Sequence, residues 1–164
     1  KSLKEMQIND ASGIARAANG SWRKALQLSD KSNKIEEIES IWIMGLRGAF
    51  KSSENKKIVV ELLGWAEKVS SLTRDEQKQF LEYGSNLIRS ALVVNYKAKE
   101  ASYYYSFNNF NVEKLAPFIH SKNILKIINL IDKTHYEISR NANVKILFSN
   151  FILKIAKYLN MKEY

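Results

Sequence analysis

The sequence predicts an all-α protein, a helical bundle preceded by a short helical hairpin, and three observations carry that expectation. One proline and six glycines among 164 residues leave few places where a helix must stop. Apolar residues recur at three- and four-residue intervals along nearly the whole chain, the period of a helix with one buried face. Strand-type alternation is sustained nowhere, so no sheet is expected.

The elements follow in order. Asp10 is placed to cap a helix through Ile14, Ala15 and Ala18, and Asn19-Gly20 ends it with the residues best able to enter the left-handed region. Ser21 then caps a second helix, Trp22 to about Asp30. Two short helices meeting at Gly20 are too small to enclose a core. Residues 1–31 therefore read as the end of a preceding domain, and residues 32–164 as the bundle itself.

From Asn33 the helices lengthen. Ile35, Ile38, Trp42, Leu46 and Ala49 share one face of the first, and the polar stretch Lys51 to Asn55 breaks it. Val59, Leu62, Leu63, Ala66 and Val69 form the stripe of the next. Thr73-Arg74-Asp75-Glu76 has the form of a capping box, Thr at N-cap and Glu at N3, and is the clearest helix start in the chain. Its helix carries Phe80, Leu81, Gly84, Leu87, Ile88, Ala91 and Leu92 on one side, meets the polar Asn95, and is expected to end near Lys97.

Ala98 to Asn111, with Tyr103-Tyr104-Tyr105, loses the rhythm and reads as a loop with some helical content. A short helix from Val112 to Ala116 reaches Pro117, where the chain turns or restarts. Ser121 or Asn123 begins a helix bearing Ile124, Ile127, Ile128, Ile131, His135 and Ile138. The last helix starts near Asn143 and turns Leu147, Phe148, Phe151, Ile152, Ile155 and Leu159 inward. No repeat of fixed period appears, which argues against a solenoid.

Composition narrows the function. The absence of cysteine removes disulfides, thiolate zinc sites and cysteine nucleophiles together. No apolar run is long enough to span a bilayer and Lys1-Ser2-Leu3-Lys4-Glu5 has no signal-like stretch, so a cytoplasmic location without membrane contact is expected. A net charge of +9 admits an acidic partner such as nucleic acid, but the lysines are scattered rather than clustered with Arg and aromatic residues.

Catalytic motifs are missing: no phosphate loop, no H-E-x-x-H pair and no Gly-rich dinucleotide turn. His120 and His135 lack convergent partner ligands and read as surface or half-buried helical residues. Glu36-Glu37 and Asp75-Glu76 sit at helix starts, where carboxylates favour the dipole. Gly20-Ser21-Trp22-Arg23 delivers an arginine in the first turn of a helix, a geometry able to offer guanidinium to phosphate, but a capped helix with an exposed arginine explains it as well. Asn141 and Asn143 flank a helix junction with Arg140 and Lys145 beside it, a corner that Phe118 and Phe148 could pack. No enzymatic activity, cofactor or metal is expected of this chain.

A family resemblance rests on these residues. Ile14-Ala15-Arg16-Ala17-Ala18-Asn19-Gly20-Ser21, followed by Arg23, Ala25 and Leu26, resembles the end of the helical lid behind the ATPase-like domain of clamp-loader subunits. Phe80-Leu81 with Tyr83, Leu87-Ile88-Arg89, Ala116-Pro117-Phe118-Ile119, and Arg140-Asn141-Ala142-Asn143 through Ile146-Leu147-Phe148 resemble the C-terminal collar of the delta-prime type of subunit in the bacterial DNA polymerase III clamp loader.

The resemblance implies a collar that joins five subunits into a ring, which opens a sliding clamp and places it on primed DNA in replication. It implies an ATPase-like part ahead of Lys1, where the family carries its Ser-Arg-Cys finger and zinc-binding cysteines. Arg23 then falls near a nucleotide-sensing lid position, in a subunit type that generally does not hydrolyse ATP. Val144 stands where close relatives would carry proline. The implied partners are the other clamp-loader subunits, with the clamp and primed DNA reached through the whole assembly.

Trp42, Trp65, Tyr83, Phe118 and Phe151, with the polar corner Arg140, Asn141, Asn143 and Lys145, are the interface candidates, and the sequence does not separate core from interface among them. Two other readings are a free-standing basic helical domain that binds nucleic acid directly, and a nucleotide-binding or catalytic helical domain that uses Arg23, which ranks last because the phosphate loop is missing.

Overall fold

The computed structural model describes residues 32–96 and 108–164, together with residues 19, 21, 23, 24 and 106. Among the described residues there is no strand; Arg23 and Lys24 are helical, and five α-helices have both ends described: α1 Ser32–Lys51, α2 Ile58–Ser70, α3 Arg74–Asn95, α4 Ile124–Ser139 and α5 Val144–Leu159. Two 3-10 turns, Val112–Lys114 and Ala116–Phe118, lead into α4, the second with Pro117 inside it. The protein is an all-α helical bundle.

Helix ends follow local chemistry. The capping box is present: Thr73 Oγ1 accepts from the Glu76 N–H at 3.3 Å, and Glu76 Oε2 accepts from the Thr73 N–H at 2.9 Å. Asn143 caps α5 by accepting from the Ile146 N–H at 3.2 Å. α4 closes in a Schellman arrangement: the Ala142 N–H reaches the Glu137 carbonyl, the Asn141 N–H reaches that of Ile138, and Asn141 takes φ 60°. Asn123, read as a possible cap of α4, makes no capping bond and is used differently, as described below.

The expected hairpin and the loop with Tyr103-Tyr104-Tyr105 lie largely outside the described residues. Within the hairpin Asn19 is left-handed (φ 55°), and Ser21 Oγ accepts from the Lys24 N–H at 3.4 Å, in line with a helix end followed by a cap.

α1 packs against α2, α3 and α5, while α3 lies along α4. α3 and α4 run antiparallel and are tied at both ends. Arg74 donates to the Ile138 carbonyl at 2.9 Å at one end, and Asn95 donates to the Ile119 carbonyl at 2.9 Å at the other. The polar interruption at Asn95 is thus a tie between elements.

The core is built on five aromatic rings from four helices. Trp42 stacks on Phe80 with centroids 4.7 Å apart and meets Phe151 edge-on at 5.9 Å. Trp65 lies 5.7 Å from Phe80, and Phe148 contacts both Phe80 and Phe151 at 6.0 Å. Such rings bury large area, and each indole N–H must still find an acceptor. Trp42 Nε1 donates to the Phe80 carbonyl and Trp65 Nε1 to the Ile41 carbonyl, each at 2.7 Å.

Two stripes differ from the sequence reading. Leu63 is exposed, and α2 buries Ile58, Leu62, Trp65, Ala66 and Val69. α4 buries Leu130 and Thr134 beside Ile127, Ile131 and Ile138, which leaves His135 at the edge, half-buried. The Thr134 hydroxyl is admitted because it donates back to the Leu130 carbonyl at 2.7 Å.

Candidate functional site

The interface candidates separate into two groups. Trp42, Trp65 and Phe151 are buried in the aromatic core, so they are corrected from possible surface anchors to core residues: rings enclosed by four helices of their own chain have no area left to offer a partner. Tyr83 is half-buried against the same core. Phe118 remains exposed on one side. It packs on Phe50 (4.4 Å) and not on Phe148, which corrects the expected corner.

The polar corner is a surface feature. Arg140 Nη1 donates to the Tyr136 hydroxyl at 2.7 Å with its guanidinium 5.5 Å from that ring, a cation–π arrangement. Asn141 and Asn143 are occupied by backbone geometry, one as the left-handed helix end and the other as the next cap. Lys145 Nζ lies 2.6 Å from Glu67 Oε1 and joins the start of α5 to α2. That ammonium holds the Glu67 carboxyl below the ordinary glutamate value.

At the same end of the bundle, beside the start of α3, Lys34 reaches Glu37 at 2.8 Å and Glu76 at 3.2 Å. Its hydrogen bond to Glu37 foremost raises the Lys34 ammonium. Glu76 is lowered, chiefly by the Thr73 backbone N–H and further by Lys34. Asp75 and Glu76 do sit in the first turn of α3, but Glu36 and Glu37 lie beyond the first turn of α1.

His120 is neither exposed nor helical. It is buried between the 3-10 turns and α4, with Nε2 3.0 Å from the Met161 carbonyl. Beside it Asn123, fully buried, accepts from the His120 N–H at 3.0 Å and donates to the Phe118 carbonyl at 2.8 Å and the Tyr158 carbonyl at 3.1 Å. This pair staples the approach to α4 onto the end of α5. Sequence reasoning missed it, because a buried Asn on an apolar face has the same letter as a helix cap.

Arg23 is helical and exposed, and Gly20 lies outside the described residues. No cluster of three or more metal-ligating side chains occurs among the described residues. None of their helices is long and apolar enough to cross a membrane.

What the surface offers is apolar area at helix faces. Val60 (73% exposed) and Leu63 share a face of α2 with Glu67, and Ile146 (68% exposed) and Leu153 share a face of α5. The Glu67–Lys145 ion pair joins these two faces at their edge. No known protein family, curated protein or solved structure matches this chain.

Proposed function

We propose that this chain is an oligomerisation module, a collar-like domain of a DNA polymerase III clamp-loader subunit of the delta-prime type, which supports clamp loading by binding neighbouring subunits and not by chemistry of its own. One observation carries the reading. A chain with an ample aromatic core still leaves Val60, Leu63, Ile146 and Leu153 in water on two adjoining helices. Burying a fully exposed side chain of this kind yields about 1.5 to 3 kcal/mol, and less for Leu63 and Leu153, each 41% exposed; their grouping on one side gives a partner a place to collect it. A stable contact of this kind covers about 1,200 to 2,000 Å². The sequence resemblance, carried by residues of α3, the second 3-10 turn and the α4–α5 corner, suggests the identity of the assembly.

Size-exclusion chromatography of the chain with purified bacterial clamp-loader ATPase subunits tests this. Co-elution is expected, and it is lost in the double variant Val60→Glu/Ile146→Glu, whose circular dichroism stays helical. Failure of the wild-type chain to co-elute overturns the proposal.

The net charge of +9 favours a second reading, direct nucleic-acid binding by a free-standing basic domain. It predicts DNA affinity for the chain alone that falls steeply with salt.

A further inference from the structure

α1 and α2 approach closely because two glycines of α1 make room. A Cβ at Gly45 would stand 2.7 Å from the Trp65 indole, and one at Gly48 would stand 2.8 Å from Leu62 Cδ2. Gly64 in the middle of α2 has no such reason. A Cβ there would meet nothing within 4 Å, and the residue is exposed. A mid-helix glycine costs about 1 kcal/mol relative to alanine, and no packing contact among the described residues accounts for it.

Gly64 opens onto a groove of about 720 Å³ between α1 and α2. The groove lies on the flank marked by Glu61, Gly64 and Lys68, turned away from the Val60, Leu63 and Glu67 face. Its open apolar surface comes from Met44 (47% exposed), and the buried Ile43, Leu62 and Trp65 lie behind it as the floor. Its rim carries three cations, Arg47, Lys51 and Lys68, against one carboxylate, Glu61. Asn108, held by the Glu39 carboxylate and the Glu36 carbonyl, stands beside the N-terminal half of α1 and lines it too. From Ser40 to Lys51 the α1 wall runs for about 16 Å, three helical turns.

We infer that this groove docks an acidic amphipathic helix of a partner protein. The occupant's apolar stripe would lie over Met44 and the bare backbone at Gly64, and its flanking carboxylates would meet Arg47, Lys51 and Lys68. An adaptable Met and a side-chain-free glycine let a helix sit close, which a rigid filled surface would prevent. The apolar lining and Glu61 disfavour a phosphate backbone as the occupant.

The test measures fluorescence anisotropy of two stapled helical peptides with one apolar face, one flanked by Glu and the other by Lys, titrated with the 164-residue chain. The Glu peptide is expected to bind at least about tenfold more tightly than the Lys peptide. Gly64→Leu, which fills the groove from an exposed position, should weaken it by at least about tenfold without lowering Tm. Arg47→Glu/Lys68→Glu should reverse the preference, and Val60→Glu/Ile146→Glu should leave it unchanged, which separates this site from the oligomerisation face. Equal binding of the two peptides, or insensitivity to Gly64→Leu, overturns the inference. So does binding of a labelled DNA oligonucleotide, lost in Arg47→Glu, when neither peptide binds.

Discussion

The Trp42 indole lies flat on the Phe80 ring and donates its N–H to the carbonyl of that same residue, at 2.7 Å, so one side chain both packs and ties α1 to α3. Gly84, one turn further along α3, is what lets it fit: a Cβ there would overlap the indole. Gly84→Ala should therefore destabilise the fold by about 2 to 3 kcal/mol through overpacking, although alanine is the better helix former. Gly64→Ala, where the added methyl meets open space, should stabilise it by about 0.5 to 1 kcal/mol. Urea denaturation of the two variants checks the opposite signs.

Asn123→Ala removes three hydrogen bonds at a fully buried position and leaves the His120 N–H and two carbonyls to find other partners. A loss of about 2 to 4 kcal/mol is expected. Hydrogen exchange should show faster opening at the start of α4 and the end of α5 than elsewhere. A uniform change across the bundle would mean that the pair is not the local staple described above.

The α4–α5 corner tests backbone conformation. Asn141→Val, at φ 60°, should cost about 1 to 2 kcal/mol, whereas Asn141→Gly should be neutral or mildly stabilising. Val144 is the first residue of α5, and Asn143 before it has φ −67° and ψ 104°, a conformation that a following proline accepts. Val144→Pro should consequently raise stability by about 0.5 kcal/mol, read as a small increase in Tm.

The lowered Glu76 carboxyl and the raised Lys34 ammonium give opposite pH limbs. Because Glu76 is lowered in the folded state, its stabilisation is present above the ordinary glutamate range and is lost as pH falls through the folded value. Lys34 is raised, so its contribution is present below the ordinary lysine value and is lost as pH rises through the folded one. Glu76→Gln keeps a capping acceptor but removes the charge, and should flatten the acid limb of a Tm–pH profile. Thr73→Ala should cost about 1 kcal/mol at neutral pH.

Local chemistry was legible in the sequence by itself. The all-α class, the capping box at Thr73, the Asn143 cap and the inward stripe of α5 all appear in the structure, because a cap or a 3.6-residue period is set by neighbours within one or two turns. Other facts depended on how helices meet. Only the assembled bundle could decide that Trp42, Trp65 and Phe151 are core, that Leu63 faces water, and that Asn95, His120 and Asn123 bond between elements. A side chain's burial depends on what another helix places over it, and that partner lies tens of residues away along the chain.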